Sequence, residues 1–593
     1  MGLLIVVSVT VALLLLVLYF TIFSYSSSPT DHHYNVGDNV PFFVNKIGPF
    51  NNPSETYHYY ELPFCSPDQI VKKKLSLGEV LRGDCLTNSL YESKFRVDNI
   101  QAALCQKKLS RNDVAKFRDT IIQDYYFQMD YDDLPFWGFI GKIEDVSWMA
   151  EGQQPQFFLF KHIQFNVLYS GGHIIEIHAL SDPNDVVNIT EDVEKDVKFT
   201  YSLYWNETAS RFSNRVDRYT KTSKSPVKSQ IYWFSIVNSI VIILLLMGYM
   251  VLVFLRHLGN ELKRYSSGDE EEDKEVGWKY IHADVFRCPP YLHLLSAVLS
   301  SGVQIFTVIV LLFVLAYIGK LYPYNHGALS ASLVIIYVLT SAIAGYTAGS
   351  FYKQFAVTGW ERSVMMVGML FPGPPILTMF ILNTIAICYG VTAALPLGTI
   401  VVIVLVYLVV SIPLLFLGAM IGYRSASVIE VSSATKKYPR EIPDQTWYRR
   451  TPCQMFLAGL LPFSAIILEL HHLYTSLWGY KSSTSPAVLL IMFLILIILI
   501  MMLSIGLSYI QLLAEDHEWW WRSVLYGGST AIFMFCYSIY FYMKSSMSGF
   551  LQMAFFFGYS SCLCYAFFLM LGTISFHASF LFIRRIYHAI KSE

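Results

Sequence analysis

Apolar residues gather along this chain in two different rhythms. Between about residues 231 and 582 they form nine separate runs, near 231–254, 292–318, 328–351, 364–389, 397–421, 455–477, 486–512, 524–543 and 550–582. Each run is about 20–33 residues long, and a helix rising ~1.5 Å per residue needs about 20 to cross the hydrocarbon core of a bilayer. One such run, like that through Val488 and Leu489, fits the interior of a large soluble protein. Nine in succession need lipid.

Upstream the period shortens to two. Ile163, Phe165, Val167 and Tyr169 alternate with His162, Gln164, Asn166 and Leu168. Ser170-Gly171-Gly172 supplies a turn, after which Ile175, Ile177 and Ala179 alternate with Glu176 and His178. Val197, Phe199, Tyr201, Leu203 and Trp205 repeat the pattern. Alternation of this kind predicts strands with one buried face, and a helical stretch over residues 111–123 interrupts it. The fold class expected is an α-helical polytopic membrane bundle of nine spans behind an N-terminal, mainly β domain built as an antiparallel sandwich. Residues 1–27 read as a signal peptide, from the apolar run at 3–23 and the small Ser24 and Ser26; an uncleaved anchor is the alternative. The β-rich domain then covers 28–230, the membrane domain 231–583 and a tail 584–593.

Charge adds an orientation. With the β-rich domain outside the cytosol, eighteen Lys and Arg fall in cytosolic loops and tail, against Lys320, Lys481 and Lys544 on the other side. The β-rich domain is thus expected in the lumen and the C-terminus in the cytosol. A chain 54% hydrophobic and 15% charged has the composition of a membrane protein, and its net charge of -1, without a basic block, argues against nucleic acid as a partner.

Chemical motifs are few. HExxH, Walker, GxSxG and kinase signatures are absent, so no enzyme activity and no cofactor is expected. Nine cysteines show no metal-ligand spacing. His32-His33 and His471-His472 are adjacent pairs whose side chains diverge, which disfavours a metal site. Asn188-Ile189-Thr190 and Asn206-Glu207-Thr208 are candidate glycosylation sequons. Cys65, Cys85 and Cys105 share the same oxidising compartment, and an odd number leaves one thiol over. The acidic run at 269–273 reads as a solvated loop, and Trp519-Trp520-Trp521 as aromatic anchors at the membrane interface. Within the spans, Glu469, His577 and Asn383 are the polar candidates. Such groups face a bundle interior or a wet cavity, or simply bond neighbouring helices. Asn383 follows the helix-breaking Phe371-Pro372-Gly373-Pro374-Pro375.

Longer strings carry a resemblance. Val44-Asn45-Lys46-Ile47-Gly48-Pro49, Asn52-Pro53-Ser54-Glu55-Thr56-Tyr57, Tyr438-Pro439-Arg440-Glu441-Ile442-Pro443, Leu461-Pro462-Phe463-Ser464-Ala465 and Ala514-Glu515-Asp516-His517-Glu518-Trp519-Trp520-Trp521-Arg522 occur in this order. The chain resembles the nonaspanins, nine-span proteins of the endomembrane system. The resemblance implies a Cys65–Cys105 disulfide, with Cys85 standing where relatives carry Arg. It implies that the final Lys591-Ser592-Glu593 is a KxE tail that engages coatomer and retains the protein in the Golgi. It also implies sorting or surface delivery of membrane-protein cargo through Golgi and endosomes. The runner-up is a transporter of a small solute, ion or lipid, resting on Glu469, His577 and the proline-broken fourth span.

Overall fold

The computed structural model describes residues 32–590 apart from 51, 53, 145–154, 213–214, 216–229, 267–277, 319–326, 357, 428–438, 479–485, 546 and 548. The segment 1–27, the acidic run at 269–273, and Lys591 and Glu593 lie outside the described residues.

The N-terminal part holds twelve described strands: β1 (Phe42–Pro49), β2 (Tyr57–His58), β3 (Thr87–Asn88), β4 (Asn99–Leu109), β5 (Tyr125–Tyr131) and β6 (Leu134–Phe139) come first. They are followed by β7 (Gly141–Glu144), β8 (Gln156–Phe160), β9 (His162–Ser170), β10 (His173–Ser181), β11 (Val186–Asn188) and β12 (Lys195–Glu207). One sheet runs β2-β1-β5-β6, with β3 also on β1; a second runs β10-β9-β12-β4; β11-β8-β7 form a small third. The two larger sheets share one core, in which Phe42 and Phe136 of the first meet Phe165 of the second at ring distances of 5.2 and 5.8 Å. The β9–β10 hairpin turns at Gly171, whose φ of +60° suits glycine. A purely antiparallel sandwich is corrected in one place: β12 runs parallel to β9, Thr200 opposite His162 through Glu207 opposite Tyr169. Alternation reports which face is buried and carries no strand direction.

Two short helices belong to this domain, α1 (Leu77–Leu81) and α2 (Arg111–Ile122). Ser110 starts α2 with a capping box: its hydroxyl accepts from the Asp113 amide while the Asp113 carboxylate accepts from the Ser110 amide. Val114, Phe117 and Ile121 then face the core at helical spacing.

The C-terminal part is helical: α3 (Gln230–Ser266), α4 (Leu292–Tyr317), α5 (Ala328–Phe355), α6 (Trp360–Leu370), α7 (Gly373–Tyr389), α8 (Leu397–Val406) and α9 (Ile412–Ser425). It continues with α10 (Thr451–Trp478), α11 (Pro486–Leu513), α12 (Trp520–Lys544) and α13 (Phe550–Ile590). Taking α6–α7 and α8–α9 as one span each, eight helices among the described residues are long and apolar enough to cross a membrane. The first expected run falls inside α3, where Val237–Val253 forms a shorter apolar stretch.

The tightest helix pairing is between α5 and α9, and glycine makes it. A Cβ on Gly345 would lie 1.9 Å from the Leu415 carbonyl oxygen, and one on Gly349 2.3 Å from that of Ala419. The contact is reciprocal: Gly418 and Gly422 stand against the carbonyls of Ala342 and Tyr346 at 2.0 and 2.2 Å. Both helices therefore carry the Gly-x-x-x-Gly spacing that lets backbones touch in lipid, where packing rather than water expulsion drives association.

The two parts meet along one rim. The Thr392 amide donates to the Thr56 carbonyl at 2.8 Å, their hydroxyls are 2.7 Å apart, and the Gln552 amide bonds the Glu55 carboxylate. Gly78 of α1 rests on the Gly327 backbone, and Gly83 on Ala393. On the opposite side of the bundle, Trp519 Nε1 donates to the Val285 carbonyl (3.0 Å) and Trp521 Nε1 to that of Pro290 (2.9 Å). Trp519 and Trp520 are buried, with Trp519 stacked on Phe576. The interface-anchor reading of these two residues is therefore corrected. The segment ahead of α4 folds over them and supplies the acceptor that an indole N–H needs when buried.

Candidate functional site

A helix break in α6–α7 is the most unusual feature of the membrane domain. Pro372 and Pro374 have no amide hydrogen, so the carbonyls four residues back, those of Gly368 and Leu370, lose their helical partners. In hydrocarbon such a group is costly unless something else bonds it. Two tyrosines on other helices do so. The Tyr407 hydroxyl donates to the Gly368 carbonyl (2.5 Å), and the Tyr565 hydroxyl of α13 to that of Leu370 (2.7 Å). Tyr407 opens a widened π turn, Tyr407–Ser411, between α8 and α9. Pro413 follows, which cannot bond the Val409 carbonyl, and the Tyr407 bond to Gly368 ties one broken segment to the other. Phe371 sits between the rings of Tyr337 (5.6 Å) and Tyr565 (6.2 Å). Together these side chains form an aromatic collar about the break.

Beyond the break, the α7–α8 arm lies at the edge of the bundle. Leu377 is 62% and Phe380 67% exposed, and no residue of α8 is buried. An apolar surface of this kind meets lipid, or another membrane helix with a complementary face.

The polar residues expected in the spans do not gather there. Asn383 closes the α7–α8 loop: its Oδ1 accepts from the Leu395 amide at 2.6 Å, and its amide reaches the Leu395 carbonyl. Glu469 is buried on α10, whereas the His577 side chain on α13 is accessible. The three lie on different helices and face different ways. His471 Nδ1 is 2.7 Å from the Tyr537 hydroxyl, and His32 Nδ1 is 3.0 Å from Asp132. No cluster of three metal-ligating side chains occurs among the described residues. The buried polar groups form helix-to-helix seams instead: the Ser504 hydroxyl lies 2.7 and 2.6 Å from those of Ser575 and Ser579, and Ser508 bonds Ser579 at 2.8 Å.

In the β-rich domain, Cys65 and Cys105 are joined by a disulfide and Cys85 is a buried free thiol. The Cys85 amide donates to Asn45 Oδ1 (2.7 Å), next to a buried ion pair between Lys46 Nζ and Asp84 (2.8 Å). Burial pushes the Lys46 amine below the usual lysine range, against the pull of the Asp84 charge, and pushes the Cys85 thiol up. A thiol held neutral in this way is a packing group rather than a nucleophile. Asn188 and Asn206 are exposed on β11 and β12.

Sequence reasoning marked the proline break but missed both tyrosines, and it passed over the paired glycines. Gly345-Tyr346-Thr347-Ala348-Gly349 and Gly418-Ala419-Met420-Ile421-Gly422 carry the spacing that could have revealed the α5–α9 contact.

Comparisons with known proteins give a consistent picture. The family described as Endomembrane protein 70 matches residues 56–550. The chain is 52% identical to Transmembrane 9 superfamily member 5 of Arabidopsis thaliana, over 95% of this chain and 96% of the relative. Member 4 from the same plant is 49% identical over 99% of each, and member 1 of Bos taurus 40% identical over 95% and 94%. No solved structure matches.

Proposed function

Because the chain belongs to the Endomembrane protein 70 family, the Transmembrane 9 or nonaspanin proteins, we propose that it sorts membrane-protein cargo in the Golgi and endosomes. In this reading the β-rich domain is luminal and the C-terminus cytosolic, from the eighteen-to-three distribution of basic residues. The tail residues Lys591 and Glu593 engage coatomer and return the protein to the Golgi. Cargo helices dock against the α7–α8 arm.

The observation that carries the reading is the unburied α8 next to the tyrosine-bound break. Elsewhere in the bundle, helices close on each other through glycine and serine seams. Here an apolar face stays open at the bundle edge, hinged where α6 and α8 lose their regular hydrogen bonds.

The test is surface proteomics in cells depleted of the protein, followed by rescue with wild type or with Val401→Trp/Leu405→Trp, which reshapes the arm. Depletion is expected to lower a subset of membrane proteins at the surface, with rescue by wild type and not by the arm variant. An unchanged surface proteome on depletion defeats the sorting reading. Full rescue by the arm variant removes α8 as the docking face.

A further inference from the structure

Three aromatic side chains stand together on the outer face of the first sheet. Phe50 lies 5.4 Å from Trp137 and 5.3 Å from Phe139, and those two are 5.6 Å apart. Strand alternation sets their direction. Phe136 points into the shared core, and Gly138 is pressed against the ring of the buried Phe127, so Trp137 and Phe139 point out, 41% and 39% exposed.

Two placements turn this face towards the bilayer. First, register puts Pro49 opposite Tyr125 and Tyr126 opposite Phe139, so the end of β1, the start of β5 and the end of β6 form one edge. From that edge the chain carries Glu55 and Thr56 onto Gln552 and Thr392 at the rim of the membrane domain. Second, the segment around α1 binds Lys46 of β1 through Asp84, while Gly78 and Gly83 of the same segment touch Gly327 and Ala393. The aromatic trio is thus continuous with the contact between the two parts of the protein. The rim there carries exposed Leu397 and Phe550, side chains that meet lipid. Tryptophan concentrates at the boundary between headgroups and acyl chains, where its apolar body and its N–H are both satisfied, and phenylalanine beside it sinks its ring towards the acyl side.

We infer that Phe50, Trp137 and Phe139 rest in the headgroup layer of the bilayer and anchor the β-rich domain to it. The partner is the lipid interface, and the anchor is independent of any cargo bound on α7–α8.

The test uses the full-length protein in phosphatidylcholine nanodiscs. A photo-reactive phenylalanine replaces Trp137, Phe139 or, as a control, Val36, which is exposed near the far end of the same sheet, where Tyr34 bonds Asp132. After irradiation, mass spectrometry is expected to find phospholipid adducts at 137 and 139 and none at 36. Adducts to a second copy, no adduct at 137 and 139, or equal lipid labelling at 36 each overturn the inference. A second readout needs no photo-probe. Brominated lipids are expected to quench a tryptophan component in wild type that Trp137→Phe abolishes, and identical quenching of the two proteins contradicts the anchor.

Discussion

Replacing Gly345 with alanine tests the α5–α9 pairing directly. The added methyl carbon would stand 1.9 Å from the Leu415 carbonyl oxygen, whereas ordinary contact begins at 3.4 Å. Backbone cannot swing away as a side chain tip can, so the helices must part by about 1.5 Å, a gap that forfeits much of the dispersion energy along the seam. Overpacking of this kind costs about 1–3 kcal/mol. Gly422→Ala, blocked by the Tyr346 carbonyl at 2.2 Å, should behave alike. The pair together should cost less than the sum, because the first methyl has already separated the helices. Gly398→Ala is the internal standard: nothing lies within 4 Å of its added carbon, so alanine should be neutral or slightly stabilising. The assay is the midpoint of heat-induced loss of the monodisperse protein in detergent, compared across the four variants. If Gly345→Ala lowers the midpoint no more than Gly398→Ala, the backbones are not in contact and the seam is wrong.

Tyr407→Phe and Tyr565→Phe should each cost about 0.6–1.7 kcal/mol in the same thermal assay, and should not add fully, because both hold the same helix break. Lys46→Met removes the cation from the buried Asp84 carboxylate, which keeps the Asn45 amide at 3.2 Å and whose side chain is 1% exposed, and should destabilise the β-rich domain by about 3–5 kcal/mol. Limited proteolysis reads this loss, and Lys46→Met/Asp84→Leu should recover most of it. At the chain end, Lys591→Ala should leak past the Golgi in imaging while the midpoint stays unchanged, since the change removes a charge and its donors from the retention tail. Retention of that variant at normal levels would place the signal elsewhere.

Much of the architecture is written in the sequence, because lipid and sheets impose simple periods. A run of some twenty apolar residues has few other homes, and the β9–β10 hairpin follows from alternation around Ser170-Gly171-Gly172. Partners distant in the chain are not written there. Pro372 and Pro374 announce freed carbonyls, yet nothing local says that hydroxyls 39 and 195 positions away will reach them. The Trp519–Trp521 run shows the opposite error. Aromatic residues at a helix end suggest an interface, but a folded segment can cover them, and Phe576 and Phe580 complete the packing. The intramembrane polar residues show the same limit: composition marks such a residue, while rotation about the helix axis decides its surroundings, buried for Glu469 and accessible for His577.

The bond from Trp519 to the Val285 carbonyl spans 234 positions, and that interval is also a time. At about 5–20 residues per second, synthesis leaves the segment ahead of α4 without its tryptophan for roughly 12–47 s after it emerges. Throughout that period the early helices sit in the membrane while a strip of aromatic surface awaits the last third of the chain. A product that stops short of residue 519 keeps the Val285 carbonyl without this donor, so the bond that fastens the finished protein also distinguishes it from an unfinished one.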